Sequence, residues 1–338
     1  MGQARKPFGI HLPERSPLML QSFLIAVTAV LPFIVYLGFG AICRRVGWTS
    51  EEFLNKLNGV VLKCFFPFLM FWNIYNVDAD TQIRGRFLAI CVGSLALLIL
   101  LLCLTVPRLV KAKDKCSVII QAAYRSNFVL FGIPMAESVF GAEGAALAAM
   151  LVAVVVPLYN AFAVILFEYY RGGEIKALTL LKNIVTNPLI LGALVGIAFL
   201  LLGIKLPVGL EKPISEFSGL TTPIALFCLG GTLHFSAMKH NQKYLTPVLV
   251  LKLLALPLLA TLLSSLVGFS NVERFVFLIM SGAPVAVSSY TMAANMGGDG
   301  ELAGEYVVLS TVLSIATLFG FIFVYNMVGF IGCCHTSP

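Results

Sequence analysis

Two prolines in apolar surroundings, Pro134 and Pro284, gather most of the polar side chains that could hold a ligand. They lie in matching motifs, Gly132-Ile133-Pro134-Met135-Ala136 and Gly282-Ala283-Pro284-Val285-Ala286, a shared G-x-P-x-A. A proline inside a helix removes one N–H and clashes with the carbonyl four residues back. The nearby glycine adds backbone freedom at the same point. Each motif is therefore expected to break its helix and expose a half-helix N-terminus, with free N–H donors and partial positive charge. Two such termini facing each other suit an anionic group. A plain proline kink is the simpler alternative; two breaks at matching positions favour the site.

Polar residues cluster around both motifs. Gln121, Tyr124, Arg125, Ser126 and Asn127 precede Pro134, and Ser281, Ser288, Ser289 and Tyr290 surround Pro284. Asn127 carries a two-way amide able to donate to a carboxylate. The serines serve equally well as hydrogen-bonding glue between helices. The expected substrate-binding set is Asn127, Gly132, Ile133, Pro134, Ser281, Gly282, Pro284, Val285, Ser288 and Ser289. Lys63, Arg125 and Lys252 fall inside apolar segments, whereas Glu137 is the acid near a break. Buried charge is expensive and by default marks function. Arg125, Lys252 and Glu137 are thus the candidates for electrostatic or coupling roles, and Lys252 serves equally well to satisfy loose carbonyls at a helix crossover. No carboxylate pair suited to a cation is available, so the inventory favours an anionic or polar-neutral substrate. Neither a metal nor a cofactor is called for. Cys333-Cys334-His335 offers too few separated ligands to wrap a tetrahedral ion.

These residues must be positioned by membrane-spanning helices. The 338 residues are 59% hydrophobic and 12% charged, with a mean hydropathy of +0.94. Soluble domains carry about a quarter charged residues, and their surface-to-volume ratio forces a polar skin that this chain cannot supply. Apolar segments of about 20 residues cross a bilayer. Ten appear, at 18–42, 53–75, 86–106, 116–140, 143–169, 183–203, 213–234, 244–267, 273–297 and 302–331. Runs such as Leu95–Val106 are apolar on every side, which excludes the alternating pattern of a membrane β-barrel. Ten spans put both termini on one face. The loops at 44–45, 108–115, 171–182 and 239–243 carry eleven Lys and Arg against eight on the other face. The positive-inside rule then puts both termini outside. The net charge of +7 orients the chain and announces no nucleic acid partner.

The chain reads as two copies of one five-helix design. Residues 1–17 form a polar tail, 18–170 the first copy, 171–182 a short cytoplasmic linker and 183–331 the second. Gly141-Ala142-Glu143-Gly144 opens the fifth span and Gly297-Gly298-Asp299-Gly300 the tenth, while Pro67 and Pro223 sit at similar depths in the second and seventh. Five is odd, so the second copy must be inserted upside down, a signature of secondary transporters. No G-x-x-x-x-G-K-[ST] loop occurs, which disfavours transport by the chain's own ATP hydrolysis. Hydrolase patterns are also lacking, so no enzyme is expected. Gly192 and Gly196 form a G-x-x-x-G that permits close helix approach, either at a homodimer seam or inside the subunit. Asn160, three residues after Pro157, reads as a hydrogen bond between helices.

Together the pieces carry a resemblance. Asn127-Phe128-Val129-Leu130-Phe131-Gly132-Ile133-Pro134 followed by Gly141-Ala142-Glu143-Gly144 resembles the fourth-to-fifth span region of the auxin efflux carrier family. Ala283–Tyr290 with Met296–Ala303, Asn187-Pro188-Leu189-Ile190, and Pro223-Ile224-Ala225-Leu226 are similar to further family patterns. The resemblance runs from about residue 20 to 330. It implies an all-α membrane protein of ten helices in two inverted repeats, with helices 4 and 9 broken and crossing. Spans 1, 2, 6 and 7 would form a scaffold, and spans 3–5 and 8–10 a mobile transport domain. It implies elevator-like movement of a small organic anion, an auxin-like acid or a mono- or dicarboxylate. The short linker lacks the long loop of many plant carriers and points to a bacterial cytoplasmic membrane. Two rival functions stay open: a proton- or sodium-coupled symporter using Glu137, and a membrane ligand sensor without transport.

Overall fold

The computed structural model describes residues 18–76, 85–171, 182, 186–233 and 238–327. The polar tail, most of the linker and the C-terminal cysteines lie outside them. The described residues form thirteen α-helices. In chain order these are α1 (Leu18–Arg45), α2 (Glu51–Val60), α3 (Phe66–Tyr75), α4 (Gly85–Leu109), α5 (Lys113–Tyr124), α6 (Phe128–Tyr170) and α7 (Pro188–Leu202). Then follow α8 (Val208–Thr232), α9 (Met238–Val250), α10 (Leu256–Val267), α11 (Asn271–Gly282), α12 (Val287–Met296) and α13 (Gly300–Met327). Five stretches are long and apolar enough to cross a membrane: Glu51–Tyr75, Gly85–Leu109, Phe128–Tyr170, Asn241–Val267 and Gly300–Tyr325. The chain is thus an all-helical, multi-pass membrane protein.

Helix ends follow local sequence signals. Ser50 accepts a bond from the Phe53 N–H and starts α2 with Glu51 and Glu52 in its first turn, where acids suit the positive end of the helix dipole. Ser270 and Glu273 cap α11 reciprocally. Asn187 caps α7, with Pro188 in its first turn, and Gly203 ends it in the left-handed region. Two prolines leave their spans intact. Pro67 and Pro257 each follow a five-residue π-helical segment, Val61–Phe65 and Leu251–Ala255. The wider turn relieves the clash with the carbonyl four residues back. Lys63 and Lys252 both lie on these segments, but Lys63 is exposed whereas Lys252 is buried. Lys63 is therefore no intramembrane charge of the interior.

Close packing uses glycine at the helix seams. A Cβ at Gly40 would lie 2.0 Å from the Phe227 carbonyl oxygen, and one at Gly230 would lie 2.0 Å from that of Leu37, so α1 and α8 touch through backbone. A Cβ at Gly192 would lie 2.4 Å from the Pro67 carbonyl, and Gly196 abuts Phe71 and Ile74. The G-x-x-x-G motif thus seats α7 on α3 inside the subunit. α5, α11 and α12 are buried on nearly every side, while α4 and α10 present rows of exposed leucines, as lipid-facing surfaces do.

One expectation fails in an informative way. The fourth span does not break at Pro134: α6 runs helically through it. The break comes earlier, at Arg125, Ser126 and Asn127, between α5 and α6. Pro134 is the seventh residue of α6, where its missing N–H forgoes one bond to the Leu130 carbonyl without ending the helix. The ninth span breaks at Ala283–Ala286, around Pro284 as expected. The two G-x-P-x-A motifs are therefore not structural equivalents. The chain turns between the fourth and fifth spans at Gly141, whose φ of 61° and ψ of −145° only glycine adopts readily. Gly297, with φ of 84°, turns the chain between α12 and α13.

Candidate functional site at the helix crossover

The two breaks meet. Ser126 and Val285 form an isolated antiparallel bridge, and the Asn127 N–H donates to the Pro284 carbonyl at 2.7 Å. The Val285 N–H is taken up by Ser310 Oγ of α13 at 2.9 Å. Ser126 Oγ donates to the Met280 carbonyl at 2.5 Å and accepts from Lys252 Nζ. Interrupted helices leave backbone groups without partners, and in a membrane interior each must be satisfied by protein or wet cavity. These bonds meet much of that requirement.

Some donors remain. Asn127 occupies the N-cap position of α6 without making a side-chain cap bond, and its Nδ2 is buried with no partner. Ala286 starts α12, likewise without a side-chain cap. The first N–H groups of α6, those of Phe128, Val129 and Leu130, have no acceptor within the helix. All three residues line a small cavity of about 60 Å³ together with Arg125, Asn127 and Ser288. Asn73 of α3 lines the same cavity, and its Nδ2 is a second buried donor without a partner.

Arg125 adds the charge. It is 3% exposed, and its guanidinium donates to Ser288 Oγ at 2.6 Å, to Asn160 Oδ1 and to Met292 Sδ at 3.0 Å. Asn160 in turn donates to Met70 Sδ at 2.6 Å. Every partner of Arg125 is neutral, and among the described residues no carboxylate pairs with it. A buried charge without a counter-ion is costly, so an anion entering the cavity would find both charge and open donors.

The small cavity continues into a vestibule of about 590 Å³, with Leu69, Asn73, Val129, Leu130 and Thr222 common to both. The vestibule walls are mostly apolar, with Tyr36, Ser138 and Ser218 among its polar residues. On the other side of the crossover α12 is fastened to α2 and α8. Thr291 donates to Asn58 Oδ1 at 2.8 Å, and the Thr232 and Tyr290 hydroxyls share a 2.7 Å hydrogen bond. A separate hollow of about 300 Å³, lined by Glu51, Thr232, Tyr290 and Glu301, lies beyond those contacts.

The expected residues divide accordingly. Asn127, Pro284, Val285, Ser288, Arg125 and Lys252 meet at the crossover. Pro134 stands at the vestibule instead, and Ile133 is half-buried beside the core. Gly132 packs against the Phe128 ring and Gly282 against Pro257. Ser281 donates to the Phe277 carbonyl on the opposite side of the crossover. Ser289 is buried, and its hydroxyl has no partner. Glu137 is exposed on α6, ten residues from Asn127, roughly 15 Å along the helix. Asn73 and Thr222 escaped the sequence reading because only packing brings them to the breaks. Asn160 was legible as an interhelical bond, though not as the partner of Arg125. Glu305 also escaped it. This fully buried carboxylate accepts from Asn241 Nδ2 at 2.9 Å, beside a 2.9 Å Lys115–Asp299 ion pair.

A crossover of two interrupted helices, with unpaired donors opening to a vestibule, offers a place for a small ligand within the helix bundle. The chain belongs to the membrane transport protein family, whose model matches residues 23–322, and this is the auxin efflux carrier family of the resemblance. It is 27% identical over 300 residues to an "Uncharacterized transporter" of Methanothermobacter thermautotrophicus, covering 88% of this chain and 97% of that one. It is 25% identical to an "Uncharacterized transporter" of Methanocaldococcus jannaschii, over 87% and 97% of the two chains. A "Putative malonate transporter" of Rhizobium meliloti is 22% identical over 87% of this chain and 94% of its own.

Proposed function

We propose that this protein is a secondary transporter of a small organic anion, with the substrate carboxylate held at the crossover. One observation carries the reading: Arg125, buried and without a carboxylate partner among the described residues, lines a cavity with the unpaired amides of Asn127 and Asn73. In this reading the N–H groups at the start of α6 and α12 complete the cradle, and Ser288 orients the guanidinium. The relative named for malonate, a dicarboxylate, supports an anionic cargo.

In this proposal the movement is elevator-like, and the packing supports it. α1, α2, α3, α7 and α8 correspond to spans 1, 2, 6 and 7 and act as scaffold; α4–α6 and α9–α13 act as the transport domain. The glycine seams joining α1 to α8 and α3 to α7 support a rigid scaffold. The vestibule is lined by Leu69 and Asn73 of α3 and by Ser218, Thr222 and Leu226 in the middle of α8, while the Thr291–Asn58 and Thr232–Tyr290 contacts close the other side. That asymmetry is what one end state of an alternating-access carrier requires. Ten spans in two inverted repeats, in the cytoplasmic membrane with both termini outside, complete the proposal. Lys252 serves as a fixed strut for the crossover through Ser126. A thermal-shift screen of purified protein against malonate, other dicarboxylates, monocarboxylates and indole acids tests the reading. Stabilisation by at least one carboxylate class is expected, and none by the matching alcohols or amides. No stabilisation by any carboxylate would overturn it.

A further inference from the structure

Behind the crossover, away from the vestibule, a second cavity of about 220 Å³ opens between α4, α10 and α11. Its rim is formed by Leu97, Leu101 and Leu259, each half or more exposed. Leucines so exposed on membrane-crossing helices face lipid, so the cavity opens sideways into the bilayer. Its inner end is polar: Lys252 and Ser281 line it together with Tyr124 and Tyr159.

Lys252 makes this more than a groove for a lipid tail. It sits near the centre of the Asn241–Val267 crossing and is 1% exposed. Its ammonium carries three donors, and among the described residues its one hydrogen bond goes to Ser126 Oγ. No carboxylate faces it there. A charge at this depth, with donors to spare, is complementary to an anionic head on an apolar body.

We propose that this lateral pocket binds a single-chain lipophilic carboxylic acid drawn from the membrane, its carboxylate on Lys252 and its chain along the leucines of α4 and α10. A cavity of 150 Å³ lined by apolar side chains holds one benzene, so 220 Å³ accommodates roughly nine carbon atoms. Decanoate is the matching probe, with its chain end reaching the lipid. A two-chain phospholipid does not fit, because its headgroup stays at the interface while Lys252 lies near mid-membrane. This site is separate from the carboxylate cradle at Arg125, which opens to the vestibule on the other side of the bridge.

The test is photolabelling of the full chain in phosphatidylcholine liposomes with a decanoic acid bearing a diazirine near its chain end, followed by peptide mapping. Label is expected on the Leu97–Leu101 and Leu259–Leu263 segments, competed by unlabelled decanoate about tenfold better than by decanol. Ala260→Trp, which fills the cavity without touching the charge, should abolish it; Lys252→Met should remove the preference for decanoate over decanol. Equal competition by decanol in the unaltered protein would overturn the proposal even if Lys252→Met fails to fold. Label confined to residues 129–138 would also overturn it, by assigning the acid to the vestibule. Malonate binding at the crossover is read separately and should persist in Ala260→Trp, so failure of one site leaves the other distinguishable.

Discussion

The Asn127 N–H donates to the Pro284 carbonyl at 2.7 Å, joining the starts of two half-helices that lie 157 residues apart in the chain. That bond engages the Asn127 backbone and leaves its amide side chain free to face the cavity. Backbone thus fixes the crossover, and the side chain is available for ligand.

Asn127→Ala follows directly. The backbone bond persists while one unpaired donor disappears. Carboxylate affinity should fall about tenfold, as for a lost hydrogen bond to a charged group. The ligand-free melting temperature should stay within about 2 °C of the parent, because the deleted donor has no protein partner to lose. Thermal-shift titration measures both quantities. A large fall in intrinsic stability with unchanged affinity would show the amide to be structural.

Arg125→Lys keeps the charge but loses the fork that reaches Asn160, Ser288 and Met292 together. Uptake should drop by about tenfold or more in proteoliposomes, with folded protein recovered. Wild-type rates in this variant would mean that charge alone suffices.

Glu137→Gln separates the carrier proposed here from a Glu137-switched symporter. Glu137 is exposed and does not line the small cavity, so uptake and its dependence on pH or sodium should stay within about twofold of the parent. Loss of a cation dependence on this change would restore the rival mechanism.

Gly192→Leu should strike the fold instead of an oligomer seam. Its side chain has no room beside the Pro67 backbone, and overpacking of this kind costs about 1–3 kcal/mol or more. A fall in melting temperature with an unchanged elution volume is expected. A change in oligomeric state at unchanged stability would place the motif at a subunit interface.

The sequence showed the membrane class plainly, because apolar runs and sparse charge leave no other solvent for the chain. Proline, however, marked the two breaks unequally. Pro284 lies in its break, but Pro134 sits in the second turn of α6, which runs on through it, and the real interruption is the polar run Arg125–Asn127. That run was visible as a cluster of polar residues, yet local propensity cannot say that Ser126 will find Val285 across the bundle. The same limit hid Asn73 and Thr222, which reach the cavity only through the packing of α3 and α8 against α6. Lys63 and Lys252 looked alike as intramembrane lysines; the face each occupies on its π-helical segment decides that one is exposed and the other buried.

The central claim is that a carboxylate sits at the crossover beside Arg125 and is carried across the membrane there. Uptake of radiolabelled malonate and of a panel of monocarboxylates into proteoliposomes, with wild-type protein and Asn127→Ala side by side, tests it most directly. The prediction is saturable uptake of at least one of these acids, with the half-saturating concentration raised about tenfold by Asn127→Ala. Absence of uptake for every acid, or saturable uptake with identical half-saturation in the two proteins, would contradict it.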